Sequence, residues 1–209
     1  MPRPCSPVLY YLGIEELETR DAAIAATMCW LVAVPCVAFA DRVSGEEKAE
    51  SCLLCHGAFA KEGKHYVPIL DGQPPAYLMA QLTAYKTGKR TETAMKTSAA
   101  GLSADDLKDL ADYFVSRKSG PYPDFDFERA SAGMKTLSQL PCTTCHGLDY
   151  SGNGSAARLA GQNPRYTASE LRSMRSGKRL HPTGVGADSI RALMDDELNN
   201  VAHALASLN

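Results

Sequence analysis

The sequence lacks a strong excess of either charge, and most of it lacks long apolar runs. Its 22 Lys and Arg residues against 24 Asp and Glu residues leave a formal net charge of −2 over 209 residues. Because binding to polyanions depends on a basic surface, this balance argues against a nucleic-acid partner. Alternating apolar residues of the kind that predict strands are also missing.

Cysteine is scarce outside two short motifs. Of the seven cysteines, Cys5, Cys29 and Cys36 precede residue 41, and the other four form two copies of Cys-x-x-Cys-His. No cysteine therefore remains in the rest of residues 41–209 for a disulfide or a thiolate nucleophile.

Each Cys-x-x-Cys-His copy is typical of covalent attachment of a c-type haem. The residues concerned are Cys52, Cys55 and His56 in the first copy, and Cys142, Cys145 and His146 in the second. The two thiols add to the vinyl groups of the porphyrin, and the histidine becomes the proximal iron ligand. A structural zinc site made from the four cysteines is the main alternative. The gap of about 90 residues and the histidine after each second cysteine favour two covalently bound haem c groups.

An uncharged, apolar stretch covers residues 22–40 and ends in Ala38-Phe39-Ala40, a small-x-small cleavage pattern. We therefore expect residues 1–40 to be a signal peptide, although the segment before the apolar stretch is unusually acidic. An uncleaved membrane anchor is the alternative, because the stretch is about long enough to span a bilayer. Pro35 and the cleavage pattern favour removal. Both readings predict an exported, periplasmic protein, as attachment of c-type haem requires, with loose membrane association left open.

Residues 41–209 contain an internal repeat with a period of about 90 residues. The matching segments are 52–57 with 142–147, 70–73 with 159–162, 87–90 with 176–179, and Leu102 with Leu193. The repeat predicts two homologous domains, at 41–120 and 129–209. Between them, residues 121–128 read as a linker, because prolines and a glycine at its start disfavour helix and strand.

Helical periodicity recurs in both halves. Ser103 is a candidate N-cap, and the apolar residues that follow fall on one helical face. These residues are Leu107, Leu110, Ala111 and Phe114, with the counterparts Leu198, Val201, Ala202 and Leu205. Further helices are expected over 76–86 and 166–175. The fold class is therefore predicted to be all-α.

These features together resemble the diheme cytochromes c of the c-four type, which consist of two tandem class I cytochrome c domains. The resemblance rests on the Cys-x-x-Cys-His-Gly motifs, the two Leu-x-Gly-Gln segments, the Gly-Lys-Arg helix ends and the Leu-Ser-Ala-Asp-Asp-Leu segment beginning at Leu102. It implies that each domain wraps around one covalently attached haem and that the domains pack haem edge to haem edge. It also implies a periplasmic carrier that moves electrons toward terminal oxidases.

In such domains the sixth iron ligand is usually a methionine in the loop before the last helix. Met95 occupies that place, and its polar, small-residue surroundings favour ligation over a role in core packing. The resemblance also places the Pro68 carbonyl beside the His56 ring, where it accepts the ring N–H and strengthens the ligand. Ala157 stands at the equivalent place in the second half.

The second haem lacks an equivalent methionine. The aligned positions are Gly184 and Gly186, which cannot ligate iron. Three arrangements remain open at this stage. His181 binds and gives bis-histidine ligation, or Met194 binds, or the iron is five-coordinate and open.

The sequence predicts an electron carrier and not an enzyme, since no assembled acid–base site is evident. Its expected partners are redox proteins, namely a membrane oxidase, a cytochrome bc complex or a dehydrogenase. One alternative is a cytochrome subunit held by a flavoprotein, alcohol or sulfur-compound dehydrogenase. A less favoured alternative is a haem enzyme or sensor that uses an open second haem.

Overall fold

The computed structural model describes residues 37–181 and 184–209, and within these ranges the chain is helical. The helices are α1 (Val37–His56), α2 (Pro75–Lys86), α3 (Thr93–Ala100), α4 (Ala104–Ser116), α5 (Phe127–Leu137), α6 (Thr143–His146), α7 (Pro164–Arg175), α8 (Gly184–Ala192) and α9 (Asp195–Ala206), with one 3-10 turn at Phe59–Lys61. The only extended pairing in the described ranges is an isolated bridge between Asn153 and Ala156. The predicted all-α class is confirmed.

The first half packs its last helix against its first two. Helix α4 contacts α1 and α2, and α3 rests on α2. The predicted apolar face of α4 forms the core, where Leu110, Ala111 and Phe114 meet Ala49 and Leu78. The predicted N-cap is also present, because the Ser103 hydroxyl accepts the Asp106 N–H while the Asp106 carboxylate accepts the Ser103 N–H.

The second half repeats this arrangement. Helix α9 packs against α5 and α7, and α8 rests on α7. The repeat extends to single hydrogen bonds, since Gly72 N–H donates to Phe114 O at 2.9 Å and Gly161 N–H donates to Leu205 O at 2.9 Å. Two tandem domains with the same helix packing follow from these contacts.

The crossing of α5 and α9 depends on Gly133. A Cβ atom at this position would overlap the Asn200 carbonyl oxygen and lie 2.8 Å from the Val201 nitrogen. We expect Gly133→Ala to lower the free energy of unfolding by roughly 1–3 kcal/mol, because the two helices must separate. Urea unfolding of the haem-loaded protein measures this. Gly101→Ala is the matched control, since nothing lies within 4 Å of a Cβ there, and an equal loss in both variants would contradict the explanation.

The predicted linker is anchored to both halves. Tyr122 is 1 % exposed, its hydroxyl donates to Ala60 O at 3.0 Å, and its N–H donates to Ala206 O at 2.8 Å. A small core of Ala60, Ile69, Tyr122 and Ala206 therefore joins the first half to the second. The prolines and the glycine predict that no helix forms here, but they do not predict that Tyr122 is buried.

Most of the predicted leader lies outside the described residues, and its last four residues, 37–40, form the first turn of α1. Among the residues that the structure does describe, none of the helices is long and apolar enough to cross a membrane.

Two segments expected as loops are helices instead. Met95 lies on α3, and the residues that follow His181 include α8. The segment Thr93–Ala100 contains good helix formers, namely three alanines, a methionine and a lysine. Its apolar residues lack a clear helical period, so the sequence pattern alone does not predict this helix.

Candidate haem sites

The first site forms at the end of α1. The helix places Cys52 half-buried against the core of the first domain and leaves Cys55 exposed. His56 is 6 % exposed, and its Nδ1 donates to the Pro68 carbonyl at 2.9 Å. This bond leaves Nε2 as the nitrogen free to ligate a metal. Burial lowers the pKa of His56, although the carbonyl partly opposes this, so the ring is neutral, as a ligand must be.

The second site is built by the short helix α6. Cys142 packs against the core of the second domain, and Cys145 is exposed. The Nδ1 of His146 donates to the Ala157 carbonyl at 2.7 Å. The expected hydrogen bond from the histidine ring to a carbonyl therefore forms in both halves. It does not require proline, because the acceptor is a main-chain oxygen. Burial is the main cause that lowers the pKa of His146, the carbonyl raises it, and the nearby His181 lowers it further.

His181 faces His146 across the second site. The centres of their rings are 6.3 Å apart, with a 51° angle between the ring planes. An iron ligated by two imidazoles needs ring centres about 6 Å apart, because each metal–nitrogen bond is about 2 Å and each ring centre lies about 1 Å beyond its nitrogen. Two imidazoles on one metal can adopt any angle between their ring planes, so the 51° tilt is compatible with this arrangement. The spacing therefore fits an iron between the two rings.

Gly186 makes room for the His181 ring. A Cβ atom there would lie 2.8 Å from His181 Nδ1 and would overlap the adjacent ring carbon. Sequence comparison of the halves shows only that Gly186 cannot ligate. The structure adds that its missing side chain is what lets the imidazole occupy this place.

The two methionines have different surroundings. Met95 is half-buried on α3, the helix that rests on α2. Met194 is the N-cap of α9, with its N–H held by the Glu197 carboxylate at 2.8 Å and its side chain 68 % exposed. The main chain of Met194 therefore begins helix α9. The structure thus brings the His181 ring near His146 and makes Met194 the N-cap of α9.

The donor set suits a haem and does not suit zinc. Each half offers a cysteine pair and a neutral, oriented histidine, which is the set that a covalent haem requires. Within residues 37–181 and 184–209, no three His, Cys, Asp or Glu side chains converge as a metal site. The described part of the chain therefore contains no tetrahedral zinc ligand set.

The two sites are joined by a reciprocal glutamine contact. Gln162 accepts the Ile69 N–H at 2.7 Å and donates to the Ile69 carbonyl at 2.9 Å. Its repeat counterpart, Gln73, accepts the Arg158 N–H at 3.0 Å and donates to the Arg158 carbonyl at 2.8 Å. In the sequence, the Leu-x-Gly-Gln segments mark only the repeat and the family resemblance. Their function in domain pairing has no signal in a single sequence, because it depends on the contact between halves.

Basic residues at the helix ends also serve this interface. The guanidinium of Arg90 is 9 % exposed, lies 3.4 Å from the Glu170 carboxylate and stacks over Tyr85. Arg179 pairs with the same carboxylate and reaches the Tyr77 hydroxyl at 3.3 Å. These two arginines are therefore interdomain contacts and not a solvated basic surface.

The chain is similar to known c-type cytochromes in sequence and in structure. No family model matches the chain. A cytochrome c4 from Pseudomonas aeruginosa is 35% identical over 149 residues, which are 68% of this chain and 74% of that protein. A "thiosulfate dehydrogenase electron acceptor" from Stutzerimonas stutzeri is 30% identical over 175 residues, covering 77% and 80%. The crystal structure of reduced cytochrome c4 from Pseudomonas stutzeri matches with a TM-score of 0.70 and 28% identity, covering 80% of this chain and 98% of that one.

Two packed all-α domains, each with a Cys-x-x-Cys-His motif and an oriented histidine, define a diheme c-type cytochrome. Such a protein binds two covalent haem c groups and transfers electrons. The chain belongs to the cytochrome c4 family.

Proposed function

We propose that the protein is a periplasmic electron carrier between a dehydrogenase or quinol-oxidising complex and a terminal oxidase or reductase. The observation that supports this most is the pair of oriented histidine sites, linked by hydrogen bonds across one domain interface. Two redox sites in one packed unit suit the passage of electrons through the protein.

We assign the haem-binding residues as follows. Cys52 and Cys55 would hold the first haem, and His56 and Met95 would bind its iron. Cys142 and Cys145 would hold the second haem, and His146 and His181 would bind its iron. The facing rings of His146 and His181 support the last assignment over Met194 or an open iron.

When bound, each haem supplies reversible one-electron chemistry at its iron. The residues of the chain set how that chemistry is used. The carbonyls of Pro68 and Ala157 fix the proximal rings, so that little reorganisation accompanies electron transfer. Met95 and His181 would each bind an iron and would keep small molecules off it, which favours conduction over catalysis. A thioether raises the potential of the first haem relative to a second haem with two imidazoles.

A role with a sulfur-compound dehydrogenase is the second candidate. It is favoured by the relative named as an electron acceptor of thiosulfate dehydrogenase. Here the cytochrome would be either a diffusing acceptor or a permanent subunit of the dehydrogenase.

Reduction kinetics separate these candidates. The purified, oxidised protein is mixed either with membranes that oxidise quinol or with thiosulfate dehydrogenase and thiosulfate, and the visible band of reduced haem is followed. Fast reduction by the membranes alone supports the quinol-linked carrier, and fast reduction by the dehydrogenase alone supports the sulfur-linked acceptor. Reactions without quinol or thiosulfate are the controls. If neither donor reduces the protein although dithionite does, both proposed donors are wrong.

A further inference from the structure

We propose that the proximal histidine of each domain is tuned by a glutamine of the other domain, through a single shared peptide group. This proposal rests on the assignment of His56 and His146 as haem ligands. It gives Gln73 and Gln162 the role of positioning residues that set the potentials of the two haems crosswise.

The first relay passes through the peptide that joins Pro68 to Ile69. Its carbonyl accepts the His56 Nδ1–H at 2.9 Å, and its N–H donates to Gln162 Oε1 at 2.7 Å. Ile69 is 5 % exposed and Gln162 is 6 % exposed, so water does not compete for these groups. The orientation of the Gln162 amide is fixed, because its nitrogen donates to the Ile69 carbonyl and its oxygen also accepts the Asn163 N–H.

The second relay is the repeat counterpart of the first. The peptide that joins Ala157 to Arg158 accepts the His146 Nδ1–H at 2.7 Å and donates its N–H to Gln73 Oε1 at 3.0 Å. Gln73 is 4 % exposed. The same three-part chain of histidine, peptide and opposite glutamine therefore forms twice, although the residues at 68 and 157 differ.

The direction of the effect follows from the polarity of the peptide group. A peptide whose N–H is hydrogen-bonded has a more negative carbonyl oxygen, and buried hydrogen bonds in a chain strengthen one another. A stronger acceptor at Nδ1–H makes the imidazole a better electron donor to its metal. Such a ligand stabilises the oxidised iron more than the reduced iron. Each glutamine therefore lowers the potential of the haem in the opposite domain.

The test is a pair of crossed variants, Gln162→Leu and Gln73→Leu, in the haem-loaded protein. Gln162→Leu is expected to favour reduction of the first haem about three- to tenfold, and Gln73→Leu that of the second haem; a tenfold change equals about 59 mV for one electron. Redox titration followed by electron paramagnetic resonance measures both potentials, after Met95→Ala and His181→Ala have assigned the signals. In the reduced protein, the Nδ1–H proton resonance of the opposite proximal histidine is expected to move upfield.

Tyr122→Phe is the matched control, because it removes the hydrogen bonds from the linker to Ala60 and Gly63 of the first domain and leaves both relays intact. It is expected to change neither potential. Where a leucine variant loses haem, the shorter Gln162→Asn or Gln73→Asn withdraws the same acceptor, and the same direction of shift is expected.

The outcomes distinguish the relay from the function itself. Equal shifts of both haems, a shift of the haem in the same domain as the variant, or no shift with both haems attached overturns the relay and leaves the electron carrier intact. A wild-type protein that carries no covalent haem overturns both.

Discussion

Replacing Met95 with alanine is expected to abolish the weak near-infrared sulfur-to-iron band and to lower the potential of one haem. The loss of a thioether ligand removes the group that favours reduced iron. Axial ligands span roughly 0.8 V in haem proteins, and a fall of the order of 100 mV or more is expected here. Redox titration with near-infrared absorption measures both effects.

Met79→Leu is the matched control for this variant. Met79 lies on α2 in the same domain, with 37 % of its surface exposed, and its replacement is expected to leave the band and both potentials unchanged. A near-infrared band that survives in Met95→Ala would show that Met95 is not a ligand.

Replacing His181 with alanine is expected to open the second iron. The reduced variant gains a carbon monoxide shift in its Soret band, whereas the wild-type protein shows none. The oxidised variant gains a high-spin signal that accounts for one of the two irons. The physical reason is the loss of the ring that faces His146 at 6.3 Å.

Three further variants make this test sharper. His181→Met is expected to raise the potential of the second haem, because it replaces an imidazole with a thioether. Gly186→Ala is expected to resemble His181→Ala in part, since a methyl group there overlaps the His181 ring. Met194→Ala is expected to change neither haem. Carbon monoxide binding in Met194→Ala, but not in His181→Ala, would assign the ligand to Met194 instead.

The proposed unequal ligation would give the two haems different tasks. A bis-histidine iron has a lower potential than a histidine–methionine iron. With the proposed ligands, electron transfer from the second haem to the first would therefore be favourable. The entry side is therefore expected at the second domain and the exit side at the first.

Local signals in the sequence were sufficient for much of this architecture. The face of α4 was predicted because burial imposes a helical period on Leu107, Leu110 and Phe114, and Ser103 was predicted as a cap because its hydroxyl accepts a free N–H. Helices expected over 76–86 and 166–175 are observed as Pro75–Lys86 and Pro164–Arg175. The Cys-x-x-Cys-His motifs predicted the cofactor because that chemistry requires neighbouring residues.

Contacts between residues far apart in the sequence could not be predicted from local patterns. Gln73 and Gln162 act across 85 and 93 positions, and a repeat alone does not say which copy pairs with which. Ligation by His181 was one of three arrangements left open for the second iron, since the distance from His181 to His146 depends on how the chain folds between them. Burial of Tyr122 likewise depends on both halves at once, so the linker composition predicted a break and not an anchor.

Low-temperature electron paramagnetic resonance of the oxidised protein, followed through a redox titration, distinguishes the proposed ligands of the two irons. We expect two low-spin irons in equal amounts, one with the signal of histidine–methionine ligation and one with that of bis-histidine ligation, the second being reduced at the lower potential. A single haem per chain, or a high-spin signal from one of two irons, would contradict this expectation.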